Sequence, residues 1–180
     1  MESITQYIEV VLKLKVNRNK SAVDKPSRRK FLGLSFYKKD GRVRNFIPKK
    51  PLAKFKAKVK EITSRSNGKS IEMCMERLVW LITGWVNYFH IADMEKVVEK
   101  LDQWIRRRIR MCYWKQWKKT RTKAENLCKL GLNKYKAWEY DNTRKGYWQI
   151  ANSPILATTL TDEYLKKQGF VSLSKCLSEY

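Results

Sequence analysis

Residues 101–119 read LDQWIRRRIRMCYWKQWKK. No Gly or Pro interrupts this run, and its apolar residues recur at helical spacing. It reads as the second half of a long helix that starts near Asp93. At about 100° per residue, Val97, Val98, Leu101, Ile105, Ile109 and Cys112 fall on one side of that helix, while Arg106, Arg110, Tyr113, Trp114 and Trp117 fall on the other. The first face can be buried. The second alternates guanidinium groups with broad rings, which is the combination nucleic-acid binding needs. Arg pairs with phosphate oxygens in a bidentate fork, and Tyr or Trp offers a surface on which unpaired bases stack, at about 1–3 kcal/mol per base. The alternative is a basic face whose aromatics pack against another part of the chain. Arg108 falls on the apolar side, where a charge needs a partner or a route to solvent; its expected role is structural.

Upstream of this stretch, residues 71–91 form the clearest core pattern. Ser70 can cap a helix in which Met75, Leu78, Ile82, Trp85 and Phe89 follow at alternating spacings of three and four. Gly84 within it suggests close packing with a neighbouring helix. Residues 52–63 read as a Lys-rich helix, and three helices patterned this way make a small bundle. Pro48 and Pro51 mark a boundary. Before it, residues 3–14 read as an amphipathic helix with Ile4, Tyr7, Ile8, Val11 and Leu12 inward. Residues 29–38 read as a strand in which Gly33 permits a close approach or bulge. Asp40-Gly41 is a hairpin signal, with 43–47 as the return strand. These short pieces do not close a sheet.

After Lys119 the texture changes. A short helix over 122–130 ends at Gly131. A second, over 133–140, carries Tyr135, Trp138 and Tyr140. A capped helix over 161–168 ends at Gly169, and 172–177 makes a last turn or two. The expected fold is mainly α. A helical bundle over 51–118 lies between a small incomplete β segment over 1–50 and a second small helical module over 119–180.

The chain has 180 residues, 43% of them hydrophobic, so it can bury a core. Its 40 Lys+Arg against 17 Asp+Glu give a formal net charge of +23. A compact protein this basic calls for a polyanionic partner. The charge is spread along the chain, with 14 basic and 4 acidic side chains in residues 1–50, 15 and 7 in 51–118, and 11 and 6 in 119–180, so the expected binding surface is extended. Cys74, Cys112, Cys128 and Cys176 show no C-x-x-C spacing and His90 is the only histidine, so no metal or other cofactor is expected. Free thiols suit a reducing compartment. The N-terminus lacks the pattern of a signal peptide, and the apolar run 78–89 is too short to span a bilayer. The expectation is a cytoplasmic protein with no membrane partner.

No catalytic constellation emerges. His90 has no nucleophile or acid paired with it by spacing. Asp93, Glu95, Glu99 and Asp102 fall around the start of a helix, where they favour the dipole and solubility. What the sequence does contain is basic residues interleaved with aromatic or turn residues in three places. One is the loop with Arg65, Asn67 and Lys69. The second is the helix face with Arg106, Arg107, Arg110, Tyr113, Trp114, Lys115, Trp117, Lys118 and Lys119. The third is Arg144, Lys145, Tyr147 and Trp148. Exposed aromatics suit single-stranded or looped RNA best.

Residues 17–21 (NRNKS), 29–36 (RKFLGLSF), 63–70 (TSRSNGKS), 84–89 (GWVNYF), 106–118 and 142–156 (NTRKGYWQIANSPIL) together resemble the C-terminal part of the reverse transcriptase/maturases encoded by group II introns. They cover nearly the whole chain in the family's order. The resemblance implies that 1–50 is the end of a polymerase palm, 51–118 a thumb-like, maturase-specific bundle, and 119–180 a DNA-binding region. It implies group II intron RNA as main partner, help with folding that RNA for splicing, and contact with target DNA. The family's Tyr-x-Asp-Asp polymerase motif does not occur in this sequence, so the chain is not expected to polymerise by itself. Two alternatives stay open: the C-terminal half of a split enzyme that needs a separate fingers/palm chain, and a decayed remnant.

Overall fold

The computed structural model describes residues 1–64, 66, 68–141 and 143–180. It is mainly α-helical with one small antiparallel sheet. The chain divides into two compact units, Met1–Pro48 and Lys49–Tyr180. The second of these units contains both the bundle expected over 51–118 and the residues 119–180 that follow it.

In the first unit, helix α1 (Glu2–Gln6) runs into a π-helical turn over Tyr7–Val11. Of the residues expected to face inward, Ile8 is half-buried and the others are not buried. Ile4, Tyr7, Val11 and Leu12 are each half or more exposed. The strand expected over 29–38 is also two strands. β1 (Lys30–Phe31) and β2 (Leu34–Lys39) pair antiparallel, with Phe31 opposite Leu34. The two residues between them, Leu32 and Gly33, both take left-handed φ angles, 48° and 76°. That is the geometry of a two-residue type I′ hairpin, whose twist matches that of the flanking strands. Asp40 (φ 52°) and Gly41 (φ 76°) make the second such turn, into β3 (Arg42–Phe46), with Lys39 opposite Arg42. The sheet order is β1-β2-β3. Among the described residues no further strand joins it, so β3 forms one edge.

The second unit is built on α2 (Lys49–Ile62), α3 (Ile71–Phe89) and α4 (Glu95–Gln116). Ser70 caps α3 by accepting a 3.3 Å hydrogen bond from the Met73 amide. The whole expected stripe, Met75, Leu78, Ile82, Trp85 and Phe89, is buried. Leu101 and Ile105 of α4 are buried with it, while Val97 is half-buried. Phe55 of α2 meets Trp85 at 4.6 Å between ring centroids, and Trp85 meets Phe89 at 5.1 Å. The start of α4 differs from expectation. Met94, not Asp93, is the N-cap, and it makes no side-chain cap bond. Gly84 lies on the outside, and among the described residues nothing comes within 4 Å of where its Cβ would stand.

Downstream come α5 (Thr120–Lys129), α6 (Lys134–Asp141), α7 (Tyr147–Ile150), α8 (Pro154–Thr159), α9 (Asp162–Lys167) and α10 (Leu173–Leu177). They fold back onto the bundle, with α7 against α4 and α10 against both α3 and α4. Asp102 fixes α10. It is 2% exposed, and its carboxylate accepts from the Leu173 amide (2.8 Å), the Ser174 amide (3.0 Å) and the Ser174 hydroxyl (2.6 Å). Those amides belong to the first turn of α10, which has no intrahelical partner for them. Asp102, expected from the sequence to serve the helix dipole and solubility, is instead a buried cap.

Candidate nucleic-acid interface

The site starts at the C-terminal end of α2. The last carbonyls of a helix lack intrahelical donors, and here α4 supplies them. Arg108 donates from Nε to the Thr63 hydroxyl (2.8 Å) and from Nη2 to the carbonyls of Thr63 (3.1 Å) and Lys60 (3.2 Å). A cation at a helix C-terminus also opposes the negative end of the dipole. The Cys112 thiol donates to the Thr63 carbonyl (3.6 Å) and the Cys74 thiol to that of Ile62 (3.3 Å). Burial, ahead of the neighbouring Cys74, pushes the Cys112 thiol up to about 12. These bonds set the loop after α2 beside the last turns of α4. Arg108 is therefore structural, as its place on the wheel implied.

The 143–148 segment docks next to it. Arg107 donates from Nε (3.1 Å) and Nη2 (2.8 Å) to the Trp148 carbonyl, and its guanidinium sits 3.9 Å from the Trp148 ring centroid. The Lys115 ammonium lies 5.6 Å from the centre of the Tyr147 ring. Such cation–π contacts are worth about 0.5–1 kcal/mol at exposed sites. Three patches distant in sequence thus converge around one end of α4.

Two hollows open there. One, of about 530 Å³, includes Lys60, Arg108, Tyr147, Trp148 and Gln149 in its lining, and the other, of about 350 Å³, includes Gly68, Lys69, Cys112, Lys115 and Lys118. Ser64 lines both. Among the described residues no carboxylate lines either one. A cleft lined by charge of one sign concentrates the opposite charge. Lys119, Arg144 and Lys145 are exposed. Arg65 and Asn67, expected here from the sequence, lie outside the described residues. Lys60, Ser64 and Gln149 are additions that the sequence alone did not single out. The signal for Lys60 was the Lys54-Lys56-Lys58-Lys60 run on a helix that buries only Phe55 and Val59; Lys56 stands 5.9 Å from the Trp104 ring centroid.

The rest of the expected α4 face points elsewhere. Tyr113, Trp114 and Trp117 are 5%, 2% and 9% exposed, not open to bases. Tyr113 packs against Trp117 and Tyr164, both at 6.0 Å, and Trp114 against Trp117 at 6.2 Å. Burial, then Tyr164, pushes the Tyr113 phenol well above its ordinary value. Arg106 pairs with Asp162 at 2.8 Å, and Arg110 donates to the Leu160 carbonyl at 3.2 Å. Burial lowers the Arg110 pKa, and Asp162 opposes that shift. The physical reason for this burial and pairing is long-range: residues 160–164 supply acceptors to Arg106 and Arg110 and a ring against Tyr113, and a helical wheel of α4 cannot show them. In this arrangement Arg106, Arg110, Tyr113, Trp114 and Trp117 bind the protein to itself.

Among the described residues no helix is long and apolar enough to cross a membrane. No curated protein matches the chain. Residues 52–131 match the family model described as "Group II intron, maturase-specific domain". The match runs from the first turn of α2 to Gly131, just beyond α5, and so takes in α4, Ser64, Lys69, Lys115 and Lys118. Over residues 52–131 the helical unit is thus similar to the group II intron maturase-specific domain, which supports a C-terminal maturase part.

Proposed function

We propose that the chain binds group II intron RNA along a groove made of the two adjacent hollows that share Ser64, and by holding the RNA assists its folding for splicing. The observation that carries this reading is that these two hollows are lined by Lys60, Arg108, Lys69, Lys115 and Lys118 and, among the described residues, by no carboxylate. Phosphates would sit on the lysines, and Tyr147 with Trp148 would take unpaired bases or sugars. Exposed Arg144, Lys145 and Lys119 extend the track. Target DNA would find the same phosphate contacts, and a reducing compartment such as the cytoplasm would suit the free thiols.

The test is a salt titration of binding to group II intron RNA with a duplex competitor. The Lys115→Ala/Lys118→Ala double variant should bind more weakly, with a slope of log K against log salt shallower by roughly 0.7–0.9 for each phosphate no longer neutralised. Trp148→Ala should weaken binding with little change of slope. An unchanged slope in the double variant would sink the reading.

A second reading has its own observation. Ile4, Tyr7, Val10, Val11, Leu12 and Leu14 are each half or more exposed in the first unit, and Phe31 and Val43 of its sheet are 65% and 67% exposed. Exposed apolar residues this numerous in one small unit suit an interaction site. It fits a separate fingers/palm chain that pairs with Met1–Pro48. Co-purification with such a chain, lost on Val10→Lys/Leu14→Lys, is the test; a monomer at high concentration in its presence would remove this reading.

A further inference from the structure

Helices α5 and α6 form a hairpin on which the groove does not draw. Gly131, at φ 90°, closes it, with the Leu132 amide donating back to the Leu127 carbonyl at 3.0 Å. Asn133 starts α6 by accepting from the Tyr135 amide at 2.9 Å. Between the helices lies a hollow of about 700 Å³, within the roughly 300–1,000 Å³ span of small-ligand sites. Its floor is apolar: Ala124, Cys128, Leu132 and the Trp138 ring. Its rim is basic. Arg121 pairs with Glu125, the carboxylate among the lining residues, at 2.8 Å, which leaves the charges of Lys129 and Lys134 as the excess at the rim. Tyr135 is 87% exposed and Trp138 44% exposed, and three residues apart on a helix they are surface neighbours.

An apolar lining that includes a tryptophan ring, with exposed lysines beside it, suits an occupant that is planar and carries an anion. A nucleotide has both parts. An acidic amphipathic peptide has the charge but needs no pair of rings. Base–ring stacking and a phosphate beside lysine are the recurring parts of single-strand recognition. We propose that the α5–α6 hollow holds one unpaired nucleotide of the bound RNA, its base against Trp138 and its phosphate against Lys129 and Lys134, while Tyr135, outside the lining and one turn from Trp138, takes the neighbouring base. This rests on the reading that the chain binds RNA and adds a single-strand contact separate from the groove. The hollow straddles the end of the maturase-specific match, since Lys134 and Trp138 lie beyond residue 131.

Cys128 gives a direct readout, because it lines the hollow. Burial raises the pKa of Cys74, Cys112 and Cys176, which slows their attack on maleimide. The experiment uses the full chain, with a ten-nucleotide oligouridine and group II intron RNA as probes. Tyr135→Ala and Trp138→Ala should each lose about 5- to 100-fold in oligouridine affinity with an unchanged salt slope. Tyr135→Ala removes an exposed ring, so folding cannot account for its loss. Oligouridine should slow maleimide labelling of Cys128, located by peptide mapping, in the wild type and not in Trp138→Ala. Wild-type affinity in both variants, with Cys128 labelled equally fast with and without oligouridine, would overturn the proposal. So would protection of Cys128 by an acidic peptide but not by RNA. If the Lys115→Ala/Lys118→Ala variant loses intron RNA while both ring variants keep it, the groove stands and this site falls; the reverse pattern keeps this site and removes the groove.

Discussion

The two sides of α4 carry similar residues and have different fates. On one side Arg106 and Arg110 are held by Asp162 and the Leu160 carbonyl, Tyr113 packs against Tyr164 and Trp117, and Trp114 packs against Trp117. On the other, Lys115 and Lys118 line an open groove, and Arg107 carries a neighbouring loop on its guanidinium. Composition does not separate them. What does is whether the chain supplies acceptors within reach. Where it does, a basic aromatic face becomes core and counter-charge; where it does not, charge is left for an outside partner.

The sharpest way to break this contrast is to empty each side of a tryptophan. Trp114→Ala on the packed side should cost about 3–5 kcal/mol in denaturant unfolding, because the ring is 2% exposed. Trp148→Ala should cost far less, since its ring is 38% exposed. Equal losses would erase the distinction. Asp102→Ala should cost about 2–3 kcal/mol, since it orphans two amides of α10. Urea unfolding that does not distinguish Asp102→Ala from the parent would show that α10 is held by packing alone.

Next in size are the arginines. Arg108→Ala removes three hydrogen bonds to the end of α2, and about 1–2 kcal/mol should go with them. Arg106→Ala removes a pair whose acid is 50% exposed, so solvent screening limits its cost to roughly 0.2–1 kcal/mol. Melting temperatures should therefore fall further for Arg108→Ala; the opposite order would mean that the pair with Asp162 matters more than the α2 end. The smallest stability effect belongs to Lys118→Ala, within about 0.5 kcal/mol, although it should flatten the salt dependence of RNA binding. A drop in melting temperature with an unaltered slope would move Lys118 to the packed side.

How far the sequence could be read follows the same division. The α3 stripe from Met75 to Phe89 was legible because one helix's periodicity reports one helix's burial. Ser70 and Thr161 were legible as caps because the bond is local: Thr161 accepts from the Tyr164 amide at 3.2 Å. Asp40-Gly41 was legible as a turn by its residues. Leu32-Gly33 was not, because Leu rarely takes φ 48°. Ser153-Pro154, a cap followed by Pro at the first helical position, is a start signal for α8 that periodicity alone does not bring out; Ser153 accepts from the Leu156 amide at 3.3 Å. In the candidate site, the patches were legible as patches. Their convergence was not, because Arg107 meets Trp148 across 41 residues and Arg108 meets Thr63 across 45.

The Asp102 carboxylate sets an order of events when the protein is made. α10 spans five residues, too few to persist as a helix alone, and its first-turn amides are the donors that Asp102 holds. A ribosome delivers α2, α3 and α4 long before it delivers Leu173 and Ser174. Through that interval Asp102 lacks the donors that α10 later brings, and water meets its carboxylate instead. Docking of residues 172–177 then exchanges water for three protein donors, so α10 adds its share of stability last. A chain stopped after residue 170 should therefore fold but be less stable than the full chain, and Asp102→Ala should cost it far less than it costs the full chain. Equal costs in the two chains would show that Asp102 does not act through α10.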